Sequence, residues 1–131
     1  MGTTKSVQDL VAAARSEIRN LTVDDVAAGL DSGAVVLIDI REPDEVSRDG
    51  VIPGAVPAPR GMLEFYADPA SPYHREEFDP AGATILYCAS GGRSALAVQA
   101  LQTLGYADVA HLDGGLKAWR AAGREVVAPP E

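Results

Sequence analysis

The sequence predicts an α/β fold built on an open, mostly parallel sheet, and three observations carry that expectation. Continuous aliphatic runs of strand length end on polar or reactive residues: Val35 to Ile38 leads into Asp39, Thr84 to Tyr87 into Cys88, and Asp108 to Leu112 into Asp113-Gly114-Gly115. Apolar runs without alternation are the form of strands buried on both faces of a parallel sheet. A helix-like segment follows each run, Pro43 to Arg48, Ser94 to Leu104 and Leu116 to Ala121, and strands alternating with helices describe a wound α/β topology. At 131 residues the chain has the length of one domain.

The remaining elements follow in order. Ser6 stands three residues before Asp9, and Val7, Leu10, Val11, Ala14 and Ile18 form an apolar stripe, which predicts a helix from Ser6 to Ile18 opened by a capping box and packed within the chain. Thr22 and Asp25 repeat the signal, with Val26, Ala27 and Leu30 behind them and Gly33 as the stop, so a second short helix is expected. Between the first two strands, Gly50 to Gly82 is rich in proline; Arg60 to Tyr66 has room for a turn or two of helix, and Asp68 to Asp79 reads as a surface loop. The clearest helix is the one after Cys88, where Ala97, Ala100, Leu101 and Leu104 keep one apolar face and Gly105 ends it.

Composition excludes several function classes. Acidic residues outnumber basic ones by 19 to 11, a net charge of −8, which argues against a general grip on nucleic acid or anionic lipid and leaves any anion to one local site. One cysteine cannot make an internal disulfide, and with two histidines no four-ligand zinc site is expected; no metal or cofactor is expected either. The longest aliphatic stretch, Ala34 to Ile38, falls far short of the ~20 residues of a membrane span. The first residues, Met1 to Ser6, show neither the apolar core of a secretory signal nor an Arg-rich transit pattern, so a reducing cytoplasm is the expected compartment.

The chemistry centres on the single thiol. In open α/β sheets ligands bind beyond the carboxyl ends of the strands, and Cys88 stands at such an end. Cys88-Ala89-Ser90-Gly91-Gly92-Arg93-Ser94 places two glycines and an arginine between the thiol and the helix. Backbone N–H groups of such a turn point inward as an anion-binding nest at the positive end of the helix, and a thiol held there shifts toward thiolate, the nucleophilic form.

At these residues the sequence resembles the rhodanese, or sulfurtransferase, domain family. The resemblance runs from about Leu21 to Val127, leaving residues 1–20 as an N-terminal helical extension and 128–131 as a loose tail. Cys88-x-x-Gly91-x-Arg93 resembles the active-site loop, Asp39-Ile40-Arg41 an Asp-x-Arg segment, Gly50 to Ala55 a Gly-His-Ile-x-Gly-Ala segment, and Gly114-Gly115 with Trp119 a Gly-Gly-x-x-x-Trp signature. The resemblance implies a five-stranded sheet with helices on both faces. It also implies a covalent cycle in which Cys88 takes the outer sulfur of thiosulfate or of a persulfide donor and passes it to a thiol or cyanide, with the N–H groups from Ala89 to Arg93 holding the charged sulfur. Partners would be the small anionic donor, the acceptor, and an acceptor protein where one exists, with no nucleic acid and no membrane.

Two positions depart from the pattern. Val51 stands where many members carry histidine, and Ala89 and Ser90 are neutral where users of thiosulfate often carry a basic side chain, which puts a persulfide donor level with thiosulfate. Four residues separate Cys88 from Arg93, against five in the related dual-specificity phosphatase and arsenate reductase domains, and arsenate reduction usually needs a second thiol.

Substrate-binding candidates are Arg93, Arg41, Ala89, Ser90, Gly91 and Gly92. Arg93 either binds the donor or folds back onto a carboxylate that holds the loop, and Arg41 is the second donor-binding candidate, with a solvated surface arginine as the alternative. Asp39 and Ser94 are read as structural support, Asp39 capping the following turn or pairing with an arginine. His111 is read as a hydrogen-bonded strand residue in preference to a base for Cys88, and Trp119 as core. His74, with Tyr73 and Arg75, lies in a loop read equally as a lip over the pocket or a solvated excursion. A sulfur-carrier or interaction module with little turnover is the alternative to an enzyme; a phosphatase-like or arsenate-handling enzyme ranks below both.

Overall fold

The computed structural model describes residues 5–130. Residues 1–4, most of the segment read for a leader, and Glu131 at the tail's end lie outside the described residues. The element order is α1 (Val7–Arg15), β1 (Arg19–Leu21), α2 (Val23–Ser32), β2 (Val35–Asp39), α3 (Pro43–Asp49), β3 (Val56–Pro57), a 3-10 turn (Arg60–Met62) running into α4 (Leu63–Ala67), β4 (Ala83–Tyr87), α5 (Gly92–Thr103), β5 (Val109–Leu112) and α6 (Gly115–Ala121). Strands β1, β5, β4, β2 and β3 lie side by side in that order, every pairing parallel. A lone antiparallel bridge joins Val51 to Val127.

Side chains alternate across the sheet and build two cores. Ile38 of β2, Leu86 of β4 and Cys88 face Ala97, Val98 and Leu101 of α5 and Leu63 of α4. Leu37, Ile85 and Tyr87 face Val26 and Ala27 of α2 and Leu116 and Trp119 of α6. Both faces are therefore covered, which is why the central strands are apolar along their length. Trp119 is core, and its indole N–H donates to the Glu125 carbonyl at 2.8 Å.

Both capping boxes form: Ser6 with Asp9 and Thr22 with Asp25 exchange reciprocal hydrogen bonds, and Gly33 closes α2 in the left-handed conformation. The first helix is shorter than its apolar stripe, ending at Arg15 where Ile18 was expected to close it. The Asn20 amide donates to the Arg15 carbonyl at 2.9 Å and so ends the helix from β1, while Ile18 still packs on the core. The α1 helix packs against α5. β1 and the two-residue β3 were not read as strands, since Arg19–Leu21 and Val56–Pro57 are too short to show a period and exist by pairing with β5 and β2. Among the described residues no helix is long and apolar enough to cross a membrane.

The strand order positions the site. From β2 the chain moves outward to β3, and from its neighbour β4 it moves to β5 on the other side, so β2 and β4 flank the switch point where a crevice opens beyond the strand ends. Asp39 pairs in register with Tyr87, which puts the Asp39–Arg41 turn beside Cys88.

Candidate active site

Cys88 follows β4 directly and its side chain is 1% exposed. Its Sγ accepts hydrogen bonds from the backbone N–H of Gly91 at 3.2 Å and of Ser94 at 3.4 Å, and its thiol donates to Ser94 Oγ at 3.5 Å. Two backbone N–H groups thus reach Sγ, that of Gly91 from the run Ala89 to Arg93 expected to hold the charged outer sulfur, and that of Ser94 just beyond it. Gly91 caps α5 at φ +104°, a conformation that a side chain disfavours, and the helix begins at Gly92. Ala89 is half-buried and Ser90 is exposed at the loop's tip.

The loop is held from outside by α6. Leu116 and Lys117 donate their backbone N–H groups to the carbonyls of Cys88 (2.9 Å) and Ala89 (3.0 Å). Gly115 lies so close that an added Cβ would stand 2.4 Å from the Cys88 carbonyl oxygen. That contact is the physical reason for glycine in the Gly114-Gly115 pair. The α1 helix comes in from the other side: Arg15 forks onto both oxygens of Asp113 at 2.8 and 2.7 Å, just before those glycines.

The two arginines differ from expectation in opposite ways. Arg93 folds back, donating to Glu45 of α3 through both terminal nitrogens at 2.7 and 2.9 Å, and so ties the loop after β4 to the helix after β2. The hydrogen bonds from Arg93 hold the Glu45 carboxyl at about 2 against partial burial. Arg93 itself is raised, first by Glu45 and also by the nearby Cys88. Arg41, expected as a donor ligand or a solvated residue, is 1% exposed. Its backbone N–H and Nε donate to Asp39 Oδ1 at 3.0 Å each, and its Nη2 to Asp39 Oδ2 at 2.6 Å and the Gly50 carbonyl at 2.7 Å. Burial works against its charge, but Asp39 outweighs burial and the guanidinium is raised. Arg41 acts as a brace here: the charge of a buried Asp39 demands a partner, and Arg41 supplies it through Nε and Nη2. Asp39 takes both supporting roles read for it, capping its own turn and pairing with arginine. Tyr87 closes this cluster, its hydroxyl accepting from the Ile52 N–H at 3.2 Å and its pKa pushed up by burial and by Asp39.

Val51 is buried and bridged to Val127, so its position serves packing. The Asp68 to Asp79 loop folds back onto its own neighbours: Arg75 N–H donates to the Tyr66 carbonyl, Arg75 Nη1 to that of Pro57, and His74 Nε2 bonds the Phe78 carbonyl at 2.9 Å.

Several neighbours of the loop escaped the sequence reading. A recess of about 220 Å³ beside Ala89 is lined by Arg41, Asp49, Leu116, Lys117 and Arg120, a local concentration of positive charge on an acidic chain. A larger recess of about 350 Å³, lined by Leu30, Ile52, Trp119 and Arg124 among others, shares no residue with the loop. Ser94, besides bonding the sulfur, lies 2.8 Å from His111 Nδ1, and His111 Nε2 lies 2.7 Å from Asn20 Oδ1. Glu45 on α3, Lys117 and Arg120 on α6, and Asn20 on β1 gave no local signal, because they come to the loop or to His111 from segments far from Cys88 in sequence.

A family model, the rhodanese-like domain, matches residues 22–122. The chain belongs to the rhodanese-like domain family. Among relatives, a protein of Allochromatium vinosum named sulfurtransferase is 35% identical over 99 residues, which cover 76% of this chain and 84% of that one. Among solved structures, a Rhodopseudomonas palustris protein of unknown function, described as a possible tyrosine phosphatase, is 44% identical with a TM-score of 0.88, covering 96% of this chain and 97% of that one. A thiosulfate sulfurtransferase of Pseudomonas aeruginosa aligns at 29% identity with a TM-score of 0.76, over 94% of this chain and 22% of that one. The rhodanese fold and the relatives named sulfurtransferase support a transferase of that class.

Proposed function

We propose that this rhodanese domain transfers a sulfane sulfur through a persulfide on Cys88. The observation that carries the reading is the thiol itself, set at the start of a twelve-residue helix with the Gly91 and Ser94 N–H groups on its sulfur. Those donors direct partial positive charge at the sulfur, the atom that carries the negative charge in the attack and again when Cys88 leaves. In the first step the Cys88 thiolate attacks the outer sulfur of thiosulfate. The new S–S bond forms as the old one breaks, and the electron pair leaves with sulfite. In the second step an acceptor thiolate or cyanide attacks the terminal sulfur of the persulfide, and Cys88 leaves as thiolate.

Burial of the thiol and the four-residue spacing from Cys88 to Arg93 favour a slim sulfane sulfur over a tetrahedral oxyanion. With Arg41 and Arg93 committed to carboxylates, the anionic end of a donor is best met at the rim by Lys117, beside Arg120, which is hydrogen-bonded to the Asp49 carbonyl, and within the loop by the backbone of Ala89, Ser90, Gly91 and Gly92. Neutral Ala89 and Ser90 keep a persulfide donor level with thiosulfate.

Intact-protein mass spectrometry tests this reading. Thiosulfate or a small persulfide is expected to add one sulfur to the wild type, a thiol or cyanide chase to remove it, and Cys88→Ser to show neither. Loading without multiple turnovers would make the domain a sulfur carrier. Turnover of an aryl phosphate with no sulfur loading would replace the proposal with the phosphatase activity that the Rhodopseudomonas description names.

A further inference from the structure

A chain of buried hydrogen bonds leads away from the thiol. Cys88 Sγ bonds Ser94 Oγ at 3.5 Å, Ser94 Oγ bonds His111 Nδ1 at 2.8 Å, and His111 Nε2 bonds Asn20 Oδ1 at 2.7 Å. Cys88, Ser94 and His111 are all at most 1% exposed. The three links come from the end of β4, from α5 and from β5, and Asn20 pairs with His111 in the β1–β5 register.

The chain has a direction, and Asn20 sets it. Its amide nitrogen donates to the carbonyls of Arg15 (2.9 Å) and Ile18 (3.3 Å), so its oxygen is the atom turned to the imidazole. An amide oxygen only accepts, which places a hydrogen on His111 Nε2 and leaves Nδ1 of the neutral ring bare. Ser94 must then donate its single hydroxyl hydrogen to Nδ1. Its other acceptor, the Gly91 carbonyl, is more distant at 3.3 Å. The Ser94 oxygen is left to accept from the Cys88 thiol.

We infer that His111 is the proton acceptor for Cys88, acting through Ser94, with Asn20 as the residue that orients it. The S–H bond of Cys88 breaks as a new O–H bond forms on Ser94. The original Ser94 O–H breaks as N–H forms on His111 Nδ1, and a thiolate and an imidazolium result with no change of oxidation state. The proton waits on His111 while the sulfur of Cys88 acts as nucleophile and returns along the same path. An enclosed thiol has little direct contact with water, so an internal acceptor supplies what solvent supplies to an exposed one. The arrangement follows the general logic of nucleophile, base and orienting group, with a hydroxyl between the first two.

The charged groups around the chain do not supply a rival acceptor. Arg15 of α1 and Asp113 after β5 face His111 with opposite signs and are paired with each other; Arg19 of β1 is taken up by Asp108; Arg93 of α5, beside Cys88, is taken up by Glu45. Burial lowers the pKa of His111, so the ring is neutral before the transfer, and the thiolate formed along the path is the charge that holds the proton on it.

The inference rests on Cys88 as the nucleophile, and its test reads protonation without reference to sulfur transfer. Because the chain has one cysteine, the ultraviolet difference between wild type and Cys88→Ser follows the Cys88 thiolate alone. Because it has two histidines, His111→Gln assigns the His111 imidazole resonances by nitrogen NMR. In wild type the neutral ring should show the Nε2–H form. Mutual stabilisation of the thiolate and the imidazolium predicts shifts of opposite sign: His111→Gln should raise the thiolate midpoint by about one pH unit, roughly tenfold less thiolate below it. Cys88→Ser should lower the His111 midpoint. Ser94→Ala should shrink both shifts, which a through-space effect would not show. The inference is overturned by an Nδ1–H ring, by either midpoint staying at its wild-type value, or by coupling of full size in Ser94→Ala. A protein that shows the coupling but loads no sulfur would keep the proton path and lose the sulfurtransferase reading.

Discussion

Replacing Gly115 by alanine tests the claim that α6 sets the shape of the Cys88 loop. Gly115 has φ +60°, and a Cβ there would stand 2.4 Å from the Cys88 carbonyl oxygen and 2.7 Å from the carbonyl carbon and oxygen of Ala89. Two costs follow. The left-handed backbone alone disfavours alanine by about 1–2 kcal/mol. The clash, which is with backbone and so is not relieved by a side-chain rotation, adds about 1–3 kcal/mol. If the loop moves to make room, the hydrogen bonds from Leu116 and Lys117 weaken as well, at about 1 kcal/mol each. The backbone and the clash together come to about 2–5 kcal/mol, the hydrogen-bond loss standing in for part of the clash if the loop moves. Gly123 provides the control, because it also has positive φ, +78°, but an added Cβ would meet nothing within 4 Å. Gly123→Ala should therefore cost only the backbone part. Urea unfolding of both variants beside wild type, with unchanged slopes, measures the difference. Sulfur loading should fail or slow in Gly115→Ala and stay intact in Gly123→Ala. If the two variants unfold within about 0.5 kcal/mol of each other and both load sulfur, the close approach of Gly115 to Cys88 does not hold the loop.

Two further perturbations address the ion pairs. Lowering Glu45 from its ordinary 4.5 to about 2 is worth roughly 3 kcal/mol at face value, and the partial exposure of Arg93 screens this to about 1–2 kcal/mol. A carboxyl held low stabilises the fold above its unfolded pKa and loses that stabilisation as pH falls from near 4.5 toward 2. The deficit of Glu45→Gln in urea unfolding should therefore be full at pH 7 and vanish at the acid end; a deficit independent of pH would show that the charge of Glu45 is not what matters. Asp39→Asn leaves the buried Arg41 charge without its partner and should cost about 3–5 kcal/mol, whereas the double change Asp39→Leu with Arg41→Met should recover much of it. Equal losses in the single and double variants would mean that the pair is needed for more than mutual neutralisation.

Much of the site was legible because it is local in sequence. Cys88 to Ser94 carries its thiol, turn and helix start in seven consecutive residues, and Asp39 caps its own turn by accepting from the Arg41 N–H. The arginines were harder. Arg93 had two readings in the sequence, and Glu45, which decides between them, lies 48 residues away on the helix after β2. Arg41 was read as facing the substrate or the solvent because the burial of a strand end depends on what covers it, here Gly50 and Tyr87.

His111 shows the same division most sharply. Read as a strand residue, it has no assigned partner. In the folded chain, β1, a three-residue strand with no periodicity of its own, brings Asn20 to one nitrogen, and α5 brings Ser94 to the other. By itself the sequence determined the wound α/β class, the order of its main elements, the helix caps, the family and the candidate thiol, because propensities, caps and loop motifs act over a few residues. Tertiary structure alone decided which charges are spent on each other, which face the loop, and where the Cys88 proton has a path, because those follow from strand order and packing between segments far apart in the chain.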